Sequence, residues 1–390
     1  MKKGWEVKRL GEVCEFKPSK NEARNKLPPS AYVSFMPMED LKIDVKFPEA
    51  KKNKMLSDVI GGYTYFADGD VLLAKITPCF ENGKLGIANA LTNGIGFGSS
   101  EFIVMRPSED LLNEWLYYFL SQESFRQEGA QRMGGAVGHK RLQKNFVEKS
   151  PIPLPPLPEQ HRIVALLDEA FAQLTLAEAH AAQNLQNARA LFESHLHQTF
   201  SHPGSDWVEK KLGEVCEYDK VQGIHKNLPY VGLEHIESNT AKFIGSHEPY
   251  AVKSMTFRFS TNHVLYGRLR PYLNKALSPN FDGHCSTEIF PLKPGKGLSR
   301  EYLLYWLLCD STCEQINATC TGTRMPRAQM NKVLGFFFPL PPLPEQRRIV
   351  AQLDALSAEV RKLEELYTRK QTLLAELKRS LLHHAFTGNL

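Results

Sequence analysis

Two stretches of the chain carry the same long apolar pattern. In the later one, apolar residues fall at alternating intervals of four and three: Ile349, Leu353, Leu356, Val360, Leu363, Tyr367, Leu374, Leu377 and Leu381, with Lys370 the one polar position in the series. The earlier one runs Ile163, Leu167, Ala170, Leu174, Ala177, Ala181, Ala188 and Leu191, with Asn184 at the place of Lys370. This spacing predicts a heptad seam on two helices of roughly 60 Å each, at about 1.5 Å per residue. Each helix is introduced by the same eight residues, PLPPLPEQ, at Pro153–Gln160 and Pro339–Gln346. The prolines hold the approach extended. A proline in the first turn lacks only an N–H that would have no helical partner, and the glutamate after it suits the positive end of the helix dipole.

The duplication runs through the whole chain. WEVKRLGEVCEF (Trp5–Phe16) matches WVEKKLGEVCEY (Trp207–Tyr218), and VLLAKITP (Val71–Pro78) matches VLYGRLRP (Val264–Pro271). SSEFIVMRP (Ser99–Pro107) matches STEIFPLKP (Ser286–Pro294), and EWLYYFL (Glu114–Leu120) matches EYLLYWL (Glu301–Leu307). The order is conserved, and the offset falls from 202 to 186, so the second copy is shorter in its loops. The chain therefore divides as a domain at 1–152, a helical spacer at 153–204, a second domain at 205–338 and a second spacer at 339–390. Short β-branched and aromatic runs bounded by Gly, Pro, Asn and Asp predict α/β (α+β) domains. Leu111–Phe125 has helical spacing, and Trp115 and Trp306 belong to the core there. Trp5 and Trp207 read as domain anchors.

One seam is alanine-rich and the other leucine-rich, which lets two helices approach and interdigitate. A helix returning from the second domain to the first must pair antiparallel with its counterpart. The expected architecture is two copies of one domain joined by a long antiparallel two-helix coiled coil, with a pseudo-two-fold internal repeat, a domain at each end of a rigid spacer and the chain termini near each other. Net charges of −3 on 153–204 and +2 on 339–390 favour the pairing weakly.

Composition narrows the class. The chain has 390 residues, 42% hydrophobic and 23% charged, as in ordinary globular proteins. No apolar run reaches the ~20 residues of a membrane span, and the N-terminal lysines precede no apolar core of a signal peptide. The seven cysteines form no CxxC pair and read as reduced, buried thiols of a cytoplasmic protein. The two domain stretches each carry a net +3.

That basic excess concentrates in two loops per domain. AKITPCFENGK (Ala74–Lys84) and GRLRPYLNK (Gly267–Lys275) leave equivalent strand ends, turn at Pro78 or Pro271 and close on lysine. Their candidates are Lys75, Thr77, Asn82 and Lys84, and Arg268, Arg270, Tyr272, Asn274 and Lys275. Arg268, Arg270 and Lys275 have no acid among them in sequence. An asparagine amide suits bidentate pairing with adenine, and an arginine with guanine. RMGGAVGHKRLQK (Arg132–Lys144) offers Arg132, His139, Lys140, Arg141 and Lys144 around glycines that admit a phosphate. TCTGTRMPRAQMNK (Thr319–Lys332) offers Arg324 and Arg327. Glu101 and Glu288, in SSE and STE, are identical in both copies. Their carboxylates suit acceptance from a cytosine amino group, but an identical motif in both domains carries no discriminating information, and the structural role is the favoured one.

The chain strongly resembles the specificity subunit of type I restriction–modification enzymes. PLPPLPEQxRIVAxLD, the duplicated LGEVCE and the C-terminal LLHHAFTGNL carry the resemblance, which covers essentially the whole sequence. It implies two target-recognition domains that read the halves of a bipartite, asymmetric site in double-stranded DNA. It implies assembly with two modification subunits, which methylate adenine N6 with S-adenosylmethionine, and optionally with restriction subunits that use ATP and Mg. No catalytic residue, metal or cofactor is expected in this chain. There is no Asn-Pro-Pro-aromatic motif and no Walker motif. GIGFG (Gly94–Gly98) is matched in the second copy by FDGHC (Phe281–Cys285), which keeps only one glycine, and no helix follows. The histidine pairs His195/His197 and His383/His384 lack partners at ligand spacing. A self-sufficient methyltransferase would bind cofactor alone, and a protein-only scaffold would lack salt-dependent DNA binding.

Overall fold

The computed structural model describes residues 4–136, 138–322 and 324–390. The chain folds into two compact units, residues 1–180 with 370–390, and residues 181–369.

In the first unit, Cys14–Phe16, Phe102–Pro107, Val71–Ala74 and Leu85–Ile87 form a four-stranded antiparallel sheet in that spatial order. Val71–Ala74 is buried at every position, which is why it reads as a continuous apolar run rather than an alternating one. A second sheet runs Lys52–Met55, Tyr32–Met36, Ile95–Gly98, Thr64–Ala67, with its middle pair parallel. Four of the five residues of the GIGFG run, Ile95–Gly98, are thus a strand. A Cβ on Gly96 would sit 2.2 Å from the Phe66 ring, and one on Gly98 2.3 Å from the Met36 carbonyl. These glycines serve close packing inside the sheet. The predicted helix at 111–125 is broken into Asn113–Leu120 and Glu123–Gln131. Trp115 is fully buried and meets Trp5 edge-on, ring centroids 5.9 Å apart.

The second unit repeats the plan. Cys216–Tyr218, Ile289–Pro294, Val264–Gly267 and Ala276–Leu277 form the antiparallel sheet. The other sheet runs Gln222–Gly223, Thr256–Phe259, Gly283–Cys285, Tyr230–Val231. Three strands of this sheet correspond between copies. The fourth is added at opposite edges: beside Tyr32–Met36 in the first copy, beside Thr256–Phe259 in the second.

The proline motif explains its own repetition. Pro151–Leu154 pairs antiparallel with Glu6–Arg9, and Phe337–Leu340 with Val208–Lys211, so each motif begins as the closing strand of its domain. Its glutamine then clamps domain to helix. Gln160 is fully buried; its amide donates to the carbonyls of Asp110 and Pro155, and its oxygen accepts from Leu112 N–H at 2.9 Å. Gln346 repeats this with Gly297, Pro341 and Ser299 N–H at 2.9, 2.8 and 2.7 Å. A second clamp joins Tyr118 to Asp168, and Tyr305 to Asp354 at 2.5 Å.

The helices span Leu157–Ser201 and Leu343–Thr387. They pair antiparallel. In the first unit Ile163 and Leu167, near the start of one, share a core with Leu382, Ala385 and Phe386, near the end of the other. In the second unit Leu196 shares a core with Ile349 and Leu353, and Arg189 pairs with Glu364 at 2.7 Å. The heptad prediction needs correction along part of the seam. It holds through Ala181 and Val360. Beyond them one line of the seam slides by a residue, to Leu185 and Phe192 instead of Asn184 and Leu191, and to Glu364, Gln371 and Lys378 instead of Leu363, Lys370 and Leu377. Covered positions such as Ile163, Leu174, Leu185 and Leu196 recur every eleven residues. Eleven residues in three turns is close to the ~3.6 of a straight helix, whereas a strict heptad drifts by ~20° per repeat. Leu191 and Leu377 are consequently about half exposed.

Candidate nucleic-acid interface

In each unit a serine–x–glutamate turn at a strand start organises the basic loops. Ser99 Oγ accepts from Glu101 N–H and Ser286 Oγ from Glu288 N–H, both at 3.2 Å. The carbonyl of Glu101 accepts from Lys75 N–H at 2.9 Å, and that of Glu288 from Arg268 N–H at 2.9 Å. Lys75 and Arg268 then accept from the second loop, at Leu142 N–H (2.7 Å) and Ala328 N–H (2.9 Å). Thr77 N–H donates to Lys140 O at 3.0 Å, and Arg270 N–H to Pro326 O at 2.8 Å. The two basic loops of each domain are thereby zipped side by side.

The glutamate side chains face the same edge. Arg141 forks onto Glu101 with contacts of 3.0 Å from Nε and 2.8 Å from Nη2, and Arg327 forks onto Glu288 at 3.0 and 2.9 Å. Lys75 Nζ lies 3.8 Å from Glu101, and Arg268 Nε 3.9 Å from Glu288. The Arg141 fork holds the Glu101 carboxyl below its ordinary pKa against the opposing effect of burial, and Lys75 adds to the lowering. The same pairing raises Arg141, as pairing with Glu288 raises Arg327. Arg268, free of acids in sequence, therefore has one in space.

The remaining predicted residues separate by exposure and pairing. His139, Lys140, Arg270 and Arg324 are exposed and carry no carboxylate partner among the described residues; Tyr272 and Asn82 are also exposed. Thr77 is partly covered and donates to Glu81. Arg132 and Lys144 lie beside these loops but pair with Glu128 and Glu148 at 2.7 Å, four residues away on their own helical turns. Lys84 and Lys275 close their loops from inside, donating to the carbonyls of Met38 and Leu233 at 2.7 and 2.6 Å. Asn274 is a correction: it is 2% exposed, its amide donates to Leu308 O at 2.9 Å, and its backbone is left-handed at φ 44°. It holds the loop's conformation and presents nothing outward. Its counterpart is Gly83, left-handed at φ 79° and likewise just before the closing lysine, so the true partner of Asn82 is not Asn274.

The family profile of the type I restriction modification DNA specificity domain matches residues 2–186 and 204–373. The chain belongs to this family. It is 35% identical over 237 residues to the specificity subunit of the type I restriction enzyme EcoAI of Escherichia coli, and 31% over 216 residues to that of EcoEI from the same organism. These stretches cover 60% and 55% of this chain but 36% of each relative, so the chain spans about a third of the length of these curated relatives. The MjaVIII specificity subunit of Methanocaldococcus jannaschii is 22% identical over 99% of this chain and 93% of its own. A solved chain from a type I restriction–modification system matches with TM-score 0.82 at 24% identity, over 100% of this chain and 99% of its own. The HsdS subunit of Thermoanaerobacter tengcongensis matches with TM-score 0.67 at 23% identity, over 100% and 98% of the two chains. At these identities the likeness is one of fold, and it matches the two-copy, two-helix plan.

Family membership does not locate the residues that sequence reasoning missed. In the first unit a groove of about 540 Å³ beside Arg141 is lined by Lys17, Lys20, Tyr63, Lys75 and Lys144. Burial, with Lys17 and Arg24 nearby, pushes Lys20 below the ordinary lysine pKa, so positive charge is crowded here. Lys17 and Lys20 sit more than fifty residues before the loops, and only the antiparallel pairing of Cys14–Phe16 with Phe102–Pro107 brings them in. The ion-pair role of Glu101 and Glu288 had a signal, their recurrence at matched positions, but not its partner.

Proposed function

We propose that this chain is the DNA-recognition subunit of a type I restriction–modification complex. Its domains at 1–152 and 205–338 each read one half of an asymmetric bipartite site, and it has no catalytic centre of its own. One observation carries the proposal: the same basic edge is built twice on the same Ser-x-Glu turn, with different side chains outermost. His139 and Lys140 stand there in one unit; Arg270, Tyr272 and Arg324 stand there in the other. A common backbone scaffold with divergent tips suits a protein that reads two different half-sites through base edges while contacting phosphates alike. Chemistry then belongs to partners: two modification subunits using S-adenosylmethionine on adenine N6, and restriction subunits using ATP and Mg, in the cytoplasm.

Methylome sequencing of a host that expresses this chain with its modification subunit tests this directly. The expected result is one new methylated motif with two unlike halves, in which Arg270→Ala with Arg324→Ala relaxes one half only. A base contact is worth ~1–3 kcal/mol of discrimination, while a phosphate contact weakens all sequences alike. No new motif, or relaxation of both halves together, overturns the proposal. Low-micromolar binding of S-adenosylmethionine by the purified chain alone overturns the assignment of chemistry to partners.

A further inference from the structure

The glutamates beneath the two basic edges are more than scaffold. We propose that Glu101 and Glu288 are specificity-determining positioning residues, which hold Arg141 and Arg327 as forks aimed along the edge and withhold their charge from DNA that offers only phosphates. This rests on the DNA-recognition function proposed above.

Three observations carry the inference. First, the geometry is built twice with different surroundings: both forks have Nε and Nη2 within 3.0 Å of the carboxylate. Second, the pairs are not buried cement. The Arg141 and Arg327 side chains are 47% and 37% exposed, whereas Glu101 and Glu288 are 22% and 28% exposed, so each arginine lies outside and its acid behind. Third, the acid is itself fixed. Its N–H is held by the serine two residues earlier, and its carbonyl by the N–H of Lys75 or Arg268. A backbone-fixed bidentate pair also staples the two loops of each unit, but a staple does not require that the arginine stand outside its acid at the same edge in both units.

The physics supplies one. An arginine paired with a carboxylate gains less from a phosphate, because the acid repels the same anion and must be left behind. Random-sequence duplex, which presents phosphates first, is therefore penalised. A base edge that matches the fork's orientation gains from an arginine whose rotamer is already chosen, since ordering a free arginine side chain on binding is what the fork has avoided. The acid lowers non-specific affinity and preserves specific affinity, which is discrimination by repulsion as well as attraction.

The test uses the purified full-length chain with fluorescein-labelled random 30-base-pair duplex in a KCl series, and selection from a random duplex pool followed by sequencing. Glu101→Gln removes the charge and is expected to bind random duplex about threefold or more tightly, from the Coulomb interaction of one charge with one phosphate at close range in water. Its salt slope should steepen by about 0.9 as one arginine is released to a phosphate. Selected sequences should lose information in one half of the motif only. Glu288→Gln should do the same for the other half. Glu101→Asp keeps the charge but shortens the reach, so random-duplex affinity should stay within about twofold of wild type while that half still blurs. Circular dichroism melting of each variant checks the fold, and Glu288→Gln serves as an independent copy if Glu101→Gln unfolds. Wild type that binds duplex, with Gln variants that bind random DNA no more tightly or keep both halves sharp, overturns this proposal alone. Wild type that binds no duplex at any salt overturns the recognition function itself, and this proposal with it.

Discussion

Replacing Gln346 with leucine should cost far more than any other single polar substitution at the start of the second helix. The side chain is fully buried and makes three hydrogen bonds: from Ser299 N–H, and to the carbonyls of Gly297 and Pro341. Leucine fills the volume but leaves one N–H and two carbonyls without these partners. An unmet buried group costs about 1–3 kcal/mol, and a carbonyl with a second lone pair sits at the lower end, so the sum is about 4 kcal/mol. For a unit of this size each kcal/mol shifts Tm by about 2–4 °C, giving a drop of about 8–16 °C in the second unit's transition. Gln346→Glu should be no better. It keeps the acceptor, loses both donors and buries a charge. Gln352→Leu is the control, on an exposed position of the same helix, and should change stability by no more than about 0.5 kcal/mol. Differential scanning calorimetry of the full chain reads all three. A Gln346→Leu protein that melts within 2–3 °C of wild type would refute the idea that the proline motif exists to clamp domain to helix. Gln160→Leu should reproduce the loss in the first unit's transition, because its three bonds are the same in kind.

The revised seam predicts that Leu196→Ala, at a residue 3% exposed, costs about 2–5 kcal/mol while Leu191→Ala, at one 54% exposed, costs at most ~0.5; equal losses in urea melts would restore the heptad. Asn274→Gly should cost only the side-chain bond to Leu308, about 1 kcal/mol, whereas Asn274→Ala adds the strain of a left-handed backbone at φ 44° and should cost about 1–2 kcal/mol more by the same melts. Burial pushes the Cys14 and Cys216 thiols up to about 12, and five of the seven cysteines are buried, so a thiol reagent at pH 8 should titrate at most Cys79 and Cys320 rapidly and all seven after denaturation. Rapid reaction of more than two in native protein would contradict that packing.

What was legible in the sequence is what repeats or alternates. The duplicated plan and the two helices were visible because eight identical residues and a long apolar series leave little else to fit, and the structure contains both. Trp115 and Trp306 were legible as core for the same reason: large aromatics on a helical apolar face are buried, at 0% and 4% exposure. The register of the seam beyond Ala181 was not. Leucines at Leu191, Leu363 and Leu377 make a heptad on paper, but which line of residues is covered depends on how far the helix drifts along its length, a property of backbone geometry rather than composition. Asn274 failed for a related reason. An asparagine in a basic loop looks like a base reader, yet the requirement for a left-handed residue before Lys275 is met by Asn274 here and by Gly83 in the other copy. Matching the loops by residue type paired Asn274 with Asn82, whereas matching them by backbone conformation pairs it with Gly83.

The internal repeat also separates scaffold from specificity without any comparison between proteins. A position that must do the same job in both units is constrained twice. Gln160 and Gln346, the Tyr118–Asp168 and Tyr305–Asp354 pairs, Glu101 and Glu288, and the closing lysines Lys84 and Lys275 all keep both residue and contacts. Other equivalent positions keep their place but change their chemistry. Asp70 and Arg106 form an ion pair at 2.7 Å, with Glu22 joining it, whereas the equivalent of Asp70 is His263, which pairs with Asp219 at 3.1 Å. In both cases the side chain also accepts from a backbone N–H three residues earlier, of Ala67 or Ser260, so the turn is preserved while the residue type changes. The outermost positions keep neither. His139 and Lys140 in the first unit and Arg324 in the second occupy matching loops, while Arg270 and Tyr272 stand on the loop that matches Ala74–Lys84. Divergence therefore increases outward from the clamps, through the turn supports, to the loop tips. Exposed loops diverge wherever nothing constrains them, so the gradient by itself is no mark of function. What relaxed constraint does not supply is a tip that is basic in both units, and that is what the two-half-site reading proposed above requires of two readers of one polyanion.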